Sequence, residues 1–197
     1  SVPASSITLF PRSERFQKSQ FIQLTLKEKI SPLWVLATAA DEPDYGMDTG
    51  VWSDNGTPFG KIYGFGNQPF GNPKVDFSIQ APFHMGFFHE SKVLLKAAGF
   101  LKRCYPEYRA HLFATLAKHC FKTGHDYWGW RFSGWALHYI QDLSQPYHSR
   151  ALPGISTQRA LWINFLDQIG FHQPKMDRIQ LMTNRHFALE NFEYNLL

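Results

Sequence analysis

Apolar positions are dense in the first part of the chain. Phe21, Ile22, Leu24, Leu26, Ile30 and the run Leu33, Trp34, Val35, Leu36 fall within residues 16–40 at spacings that predict helix, interrupted at Pro32, which cannot continue a helical hydrogen-bond ladder. Residues 41–82 break the pattern. Gly, Pro, Asn and Asp crowd the stretch DEPDYGMDTGVWSDNGTPFGKIYGFGNQPFGNPKVD and predict turns, with only short strand-capable runs between them. A loop of that length is usually functional or mobile. Helical periodicity returns over residues 89–121, with a break at Tyr105-Pro106 and a stop at Thr123-Gly124. Further helices are predicted over 127–143, stopped by Pro146, over 158–169, ending at Gly170, and from about 180 to 196. No strand-helix alternation, internal repeat or low-complexity tract accompanies them. The expected fold is all-α: a single-domain helical bundle over residues 1–197 with one long Gly/Pro-rich loop.

Composition adds an aromatic core and excludes disorder, with 44% hydrophobic residues, 18 Phe and 6 Trp. Lys plus Arg exceed Asp plus Glu by only 20 to 16, scattered along the chain, which is too weak to argue for nucleic acid on charge alone. Cys104 and Cys120 lack zinc-finger or redox spacing; one bridge or two buried thiols are the alternatives. No apolar run reaches the roughly 18 residues of a membrane span, and the first residues show no signal-peptide layout, although a signal already removed would leave no trace. Asn55-Gly56-Thr57 fits a glycosylation sequon, a triplet common by chance.

Candidate chemistry concentrates in HYIQDLSQPYHSR. His138 and Asp142, four apart on a predicted helix, share one face, and Pro146 bends the chain so that His148 can return toward that face from another angle. His186 and Glu190 repeat the four-residue spacing near the C-terminus, among Phe187, Leu189 and Phe192. Imidazole nitrogens with carboxylate oxygens suit zinc, and no cysteine is required. Asp41, Asp44 and Asp48 upstream, with His84 and His89 beyond the loop, enlarge the ligand pool. A lone His and Asp pair at helical spacing is more often a hydrogen-bonded or surface pair, and the five fixed residues of H-x-x-x-D-x-x-Q-P-x-H are what raise this one above that reading. His111, His119, His125 and His172 have no comparable partners; His125-Asp126 marks a helix start with Asp126 as the expected N-cap. Trp128, Trp130 and Trp135 are read as packing, with a base-stacking or lipid-contact platform as the sharper alternative.

The residues GWALHYIQDLSQPYHS resemble the central motif of the zinc-dependent phospholipase C family, whose fold and metal cluster are shared with zinc-dependent single-strand nucleases. The resemblance covers roughly residues 44–190, and the central motif is its specific part. It implies that His138 and Asp142 bind one zinc together with Asp44, from ADEPDYG, and with His84, from PFHMGFF, or its rival His89. It implies a second zinc on His148, His186 and Glu190, with Asp44 doubling as a general base. A third zinc of the family uses the N-terminal amine and a nearby His, and no His precedes Asp44 here. The interval between His148 and His186 is longer than in the bacterial lipases, and the chain ends seven residues past Glu190, where the family continues, so segments missing at both ends are expected. The implied activity is phosphodiester hydrolysis by a zinc-bound hydroxide, with phospholipid headgroups as substrate and transient contact with a membrane surface. The alternatives are a nuclease or nucleotidase acting on single-stranded nucleic acid, and a zinc-binding relative without catalysis. By the same resemblance the protein is expected to be secreted or periplasmic.

Overall fold

The computed structural model describes residues 2–3, 20–48 and 80–196. The sequon at Asn55 and most of the Gly/Pro-rich loop lie outside them. The fold is all-α; among the described residues the one extended pairing is a two-residue antiparallel ladder of β1 (Val2–Pro3) with β2 (Gln20–Phe21).

Helix boundaries follow the chain's punctuation. Helix α1 (Pro32–Asp41) starts at Pro32, whose missing N–H is not needed in a first turn, so the proline opens a helix and does not interrupt one. The helix expected before it is not formed: residues 22–31 are irregular and turn at Lys27, φ 68°. Ile22 is 75% exposed and Leu26 93%, so no buried face offsets the cost of helix nucleation there. After α1 a 3₁₀ turn (Glu42–Tyr45) ends at Gly46 in the left-handed region, φ 105°. Next come α2 (Ala81–His84), α3 (Lys92–Ala97), capped by Ser91 Oγ, and a 3₁₀ turn (Gly99–Lys102). Helix α4 (Pro106–Lys122) begins at the expected break and stops before Gly124, φ 74°. Helix α5 (Asp126–Asp142) has His125 at the N-cap, not Asp126, which lies in the first turn where a carboxylate still favours the helix dipole. Helix α6 (Pro146–Ser149) is a single turn whose N-cap Gln145 accepts from Tyr147 N–H. Helix α7 (Thr157–Gln168) ends before Gly170, φ 98°, as expected. Helix α8 (Gln173–Leu196) begins earlier than about 180, because Pro174 is tolerated in its first turn and the Lys175 and Met176 N–H groups donate to His172 O.

Helix α5 is the centre, packed against α1 and α4. Its Ala136 and Tyr139 join Phe83 and Phe113 in one buried cluster, flanked by Phe132 and Trp135. A second cluster of Phe87, Leu94, Leu101 and Ala160 ties α7 to the α3 region. The packing reading holds for Trp135, edge-on to Phe113, and for Trp130, edge-on to Phe121, while Trp128 is 43% exposed. Gly134 sets the approach of α1: a Cβ there would lie 2.6 Å from Leu36 O, 2.7 Å from Ala39 Cβ and 3.0 Å from Ala40 N. The absent side chain lets the end of α1 rest directly on α5, one turn before His138. Cys104 and Cys120 are free, partly buried thiols. Among the described residues no helix is long and apolar enough to cross a membrane.

Candidate metal centre

His138 and Asp142 emerge from the C-terminal end of α5, both buried. His84, at the last position of α2, presents its ring edge-on to His138, with centroids 5.0 Å apart. Its Nδ1 lies 3.0 Å from His138 Nε2, and Asp142 Oδ2 lies 2.9 Å from the first nitrogen and 3.2 Å from the second. Asp44, on the 3₁₀ turn after α1, brings Oδ1 to 3.7 Å from both. Donor atoms of Asp44, His84 and His138 thus all lie within 4.8 Å of one another. The other nitrogen of His138 is committed: a carbonyl only accepts, so Nδ1–H donates to Ala40 O, 2.7 Å away. In a neutral ring this leaves the Nε2 lone pair facing the cluster. The contact exists because Gly134 admits α1 so closely.

A second cluster lies on the far side of Asp142. His148, on α6, and His186, on α8, oppose Nε2 to Nε2 at 2.9 Å, and Glu190 Oε1 is 2.8 Å from His186 Nε2 and 3.8 Å from His148 Nε2. Tyr147 stacks on the His186 ring. Asp142 joins the two groups: while Oδ2 faces His84 and His138, Oδ1 is 2.8 Å from His148 Nδ1, a contact that is short but not aligned as a hydrogen bond. Gly86 N–H donates to His148 O at 2.8 Å, fastening the segment after His84 to α6.

Two unprotonated ring nitrogens cannot face each other at such distances without a cation or a proton between them, and the donors are nitrogen and oxygen only. Both groups can hold a divalent metal ion. In the first group, without metal, protons take that place. Burial pushes the His84 pKa down, but Asp142 first, then Asp48 and Asp44, outweigh it and hold the imidazole well above its ordinary range. Burial likewise opposes His138, and Asp142 and Asp44 prevail, so it too is raised. Burial would raise Asp142; His84, His138 and His148 hold it well below the usual carboxylate range.

All seven predicted ligands converge: Asp44, His84, His138 and Asp142 around one point, His148, His186 and Glu190 around the other. His89 is exposed and stands outside both groups. Asp41 accepts a hydrogen bond from the Tyr45 hydroxyl and is not in the cluster. Asp48 is fully buried behind His84, where Tyr139 and Arg109 bond to its carboxylate. Sequence reasoning missed the supporting groups, namely Ala40 O, Gly134, Arg109, Tyr139 and Glu42, which accepts from Arg131 Nε and Trp135 Nε1 and so pins the turn that carries Asp44. A glycine inside a helical pattern was the available signal for Gly134. Comparison with protein-family models, with curated proteins and with solved structures finds no match to this chain.

Proposed function

We propose that this chain is a zinc-dependent phosphodiester hydrolase of the phospholipase C type, acting on phospholipid headgroup esters. The observation that carries the reading is the pairing of two His and carboxylate clusters through one carboxylate, Asp142. Asp44, His84, His138 and Asp142 would hold one zinc and His148, His186 and Glu190 the other, with nitrogen and oxygen donors that suit this ion. Zinc ions bound in such adjacent sites would polarise phosphoryl oxygens and lower the pKa of water at the site.

The chain's own residues supply orientation and proton handling. Ala40 O accepts from the His138 ring and fixes it, so its inward nitrogen is presented without search. Asp44 is the most open carboxylate of the first cluster, its side chain 31% exposed against 11% for Asp142. It can therefore meet both the cluster and solvent, the position a general base needs to take a proton from an attacking water.

The test is hydrolysis of a chromogenic phosphocholine ester and of single-stranded DNA by the zinc-loaded protein, by the chelated protein and after zinc is restored. Zinc-dependent cleavage of the ester that falls at least 100-fold in Asp44→Asn is the expected result. Cleavage of DNA alone would replace the lipid reading with the nuclease one. Inactivity on both substrates with zinc bound would overturn the hydrolase reading in favour of a non-catalytic zinc protein.

A further inference from the structure

His84 has a second nitrogen that the cluster does not use. Nε2 points away from Asp44, His138 and Asp142, is buried, and makes no hydrogen bond; Asp48 Oδ2 faces it at 3.5 Å. Asp48 is fully buried, and its atoms are not among the clustered ligand atoms. It is nevertheless held from several sides. The Tyr139 hydroxyl donates to Oδ2 at 2.6 Å, the Arg109 guanidinium pairs with Oδ1, and the Asp48 N–H donates to Gln80 Oε1 at 3.2 Å. Arg109 itself packs over the Phe83 ring, 4.8 Å from its centroid. A carboxylate removed wholly from water is costly, and this arrangement fixes it in one place beneath one histidine.

We infer that Asp48 is a positioning residue for the first metal site, accepting the Nε2–H of His84 while Nδ1 faces the metal. The inference rests on the metal reading above. An imidazole that gives one lone pair to a metal keeps its proton on the other nitrogen, and a buried N–H requires an acceptor. With Nδ1 in the cluster, that proton meets Asp48, and a ring shift of about 0.5 Å brings the 3.5 Å separation into hydrogen-bond range. His138 follows the same plan, its Nδ1–H donating to Ala40 O. Tyr139 follows His138 directly, so α5 carries both a ligand of the site and the clamp on the group behind another ligand.

The test uses the full chain and reads metal, not turnover. Zinc affinity of each site is measured by competition with a chromogenic chelator in the native protein and in Asp48→Asn. The first site is expected to weaken about 10- to 100-fold, while the His148, His186 and Glu190 site stays within about twofold, serving as an internal control of folding. An unchanged first site overturns the inference and leaves the metal reading standing. Absence of zinc from both sites of the native protein overturns the metal reading itself. Should the variant lose both sites by misfolding, the native protein loaded with cadmium-113 decides: coupling of the metal to His84 Nδ1 with a protonated Nε2 supports the role of Asp48, and coupling to Nε2 refutes it.

Discussion

Replacing Gly134 with alanine tests the framework that aims His138. The added Cβ would lie 2.6 Å from Leu36 O, and ordinary contact begins at 3.4 Å, so α1 must retreat by about 0.8 Å. Two of the three nearest atoms are backbone, so no side-chain rotation relieves the clash. Overpacking of this kind costs about 1–3 kcal/mol. Helix propensity returns about 1 kcal/mol on going from Gly to Ala in a helix interior. The same retreat lengthens the 2.7 Å contact of His138 Nδ1 with Ala40 O to about 3.5 Å, past hydrogen-bond length, for a further loss of about 1 kcal/mol. The net expectation is about 1–3 kcal/mol, or a fall in Tm of roughly 2–12 °C for a chain of this size. Zinc at the first site should weaken about 10-fold through the freed imidazole. Differential scanning calorimetry of chelated protein gives the first quantity, and chelator competition the second. Gly99→Ala is the control: its Cβ meets nothing within 4 Å and its backbone needs no glycine, so stability should hold or rise by a few tenths of a kcal/mol. A Gly134→Ala protein that melts and binds zinc like the native one would refute the reasoning, because α1 would then not rest on α5 as described.

Two further outcomes follow from the site's charges and from the exposure of α8. In chelated protein the raised pKa values of His84 and His138 give stability that is complete below their ordinary value of 6.5 and lost as pH rises through the raised values, while Asp142, lowered from 3.8, contributes above that value and loses its contribution as pH falls through the lowered one. Melting of the chelated protein across pH should therefore peak between about 4 and 6.5 and decline toward pH 9, whereas zinc, which displaces those protons, should stabilise more as pH rises through the same range; a chelated protein that gains stability from pH 6 to 8 would contradict this. Helix α8 leaves Met176, Phe187 and Phe192 more than half exposed, so few apolar contacts hold it and metal on His186 and Glu190 should fasten it. Chelation is expected to speed amide exchange across residues 173–196 far more than in α5, and equal protection with and without zinc would show that the helix docks without metal.

What the sequence could reveal about this site depended on whether the relevant geometry is local. The pairs His138 with Asp142 and His186 with Glu190 were readable because a helix alone places residues four apart on one face, and Pro146 announced the turn that redirects His148. The choice between His84 and His89 was not local: it depends on which part of PFHMGFFHE packs against α5, and the structure buries Phe83 and His84 there while His89 stays in an exposed turn. Spacing marked Asp48 as one more possible ligand, and only the path of the chain after Asp44 turns it behind His84, against Tyr139 and Arg109 from two other helices. One proline misled. Pro32 stands where the first turn leaves an N–H without a partner, so a residue read as a break is a start. The candidate ligands His138, Asp142, His186 and Glu190 are thus carried by short-range periodicity, whereas the choice of His84 and the orientation of the candidate ligands are carried by contacts that cross the fold: Ala40 to His138, Asp48 to His84, and Glu42 to Arg131 and Trp135. A variant that preserves every motif residue can therefore still lose the site, and Gly134→Ala, which touches no ligand, is the sharpest case.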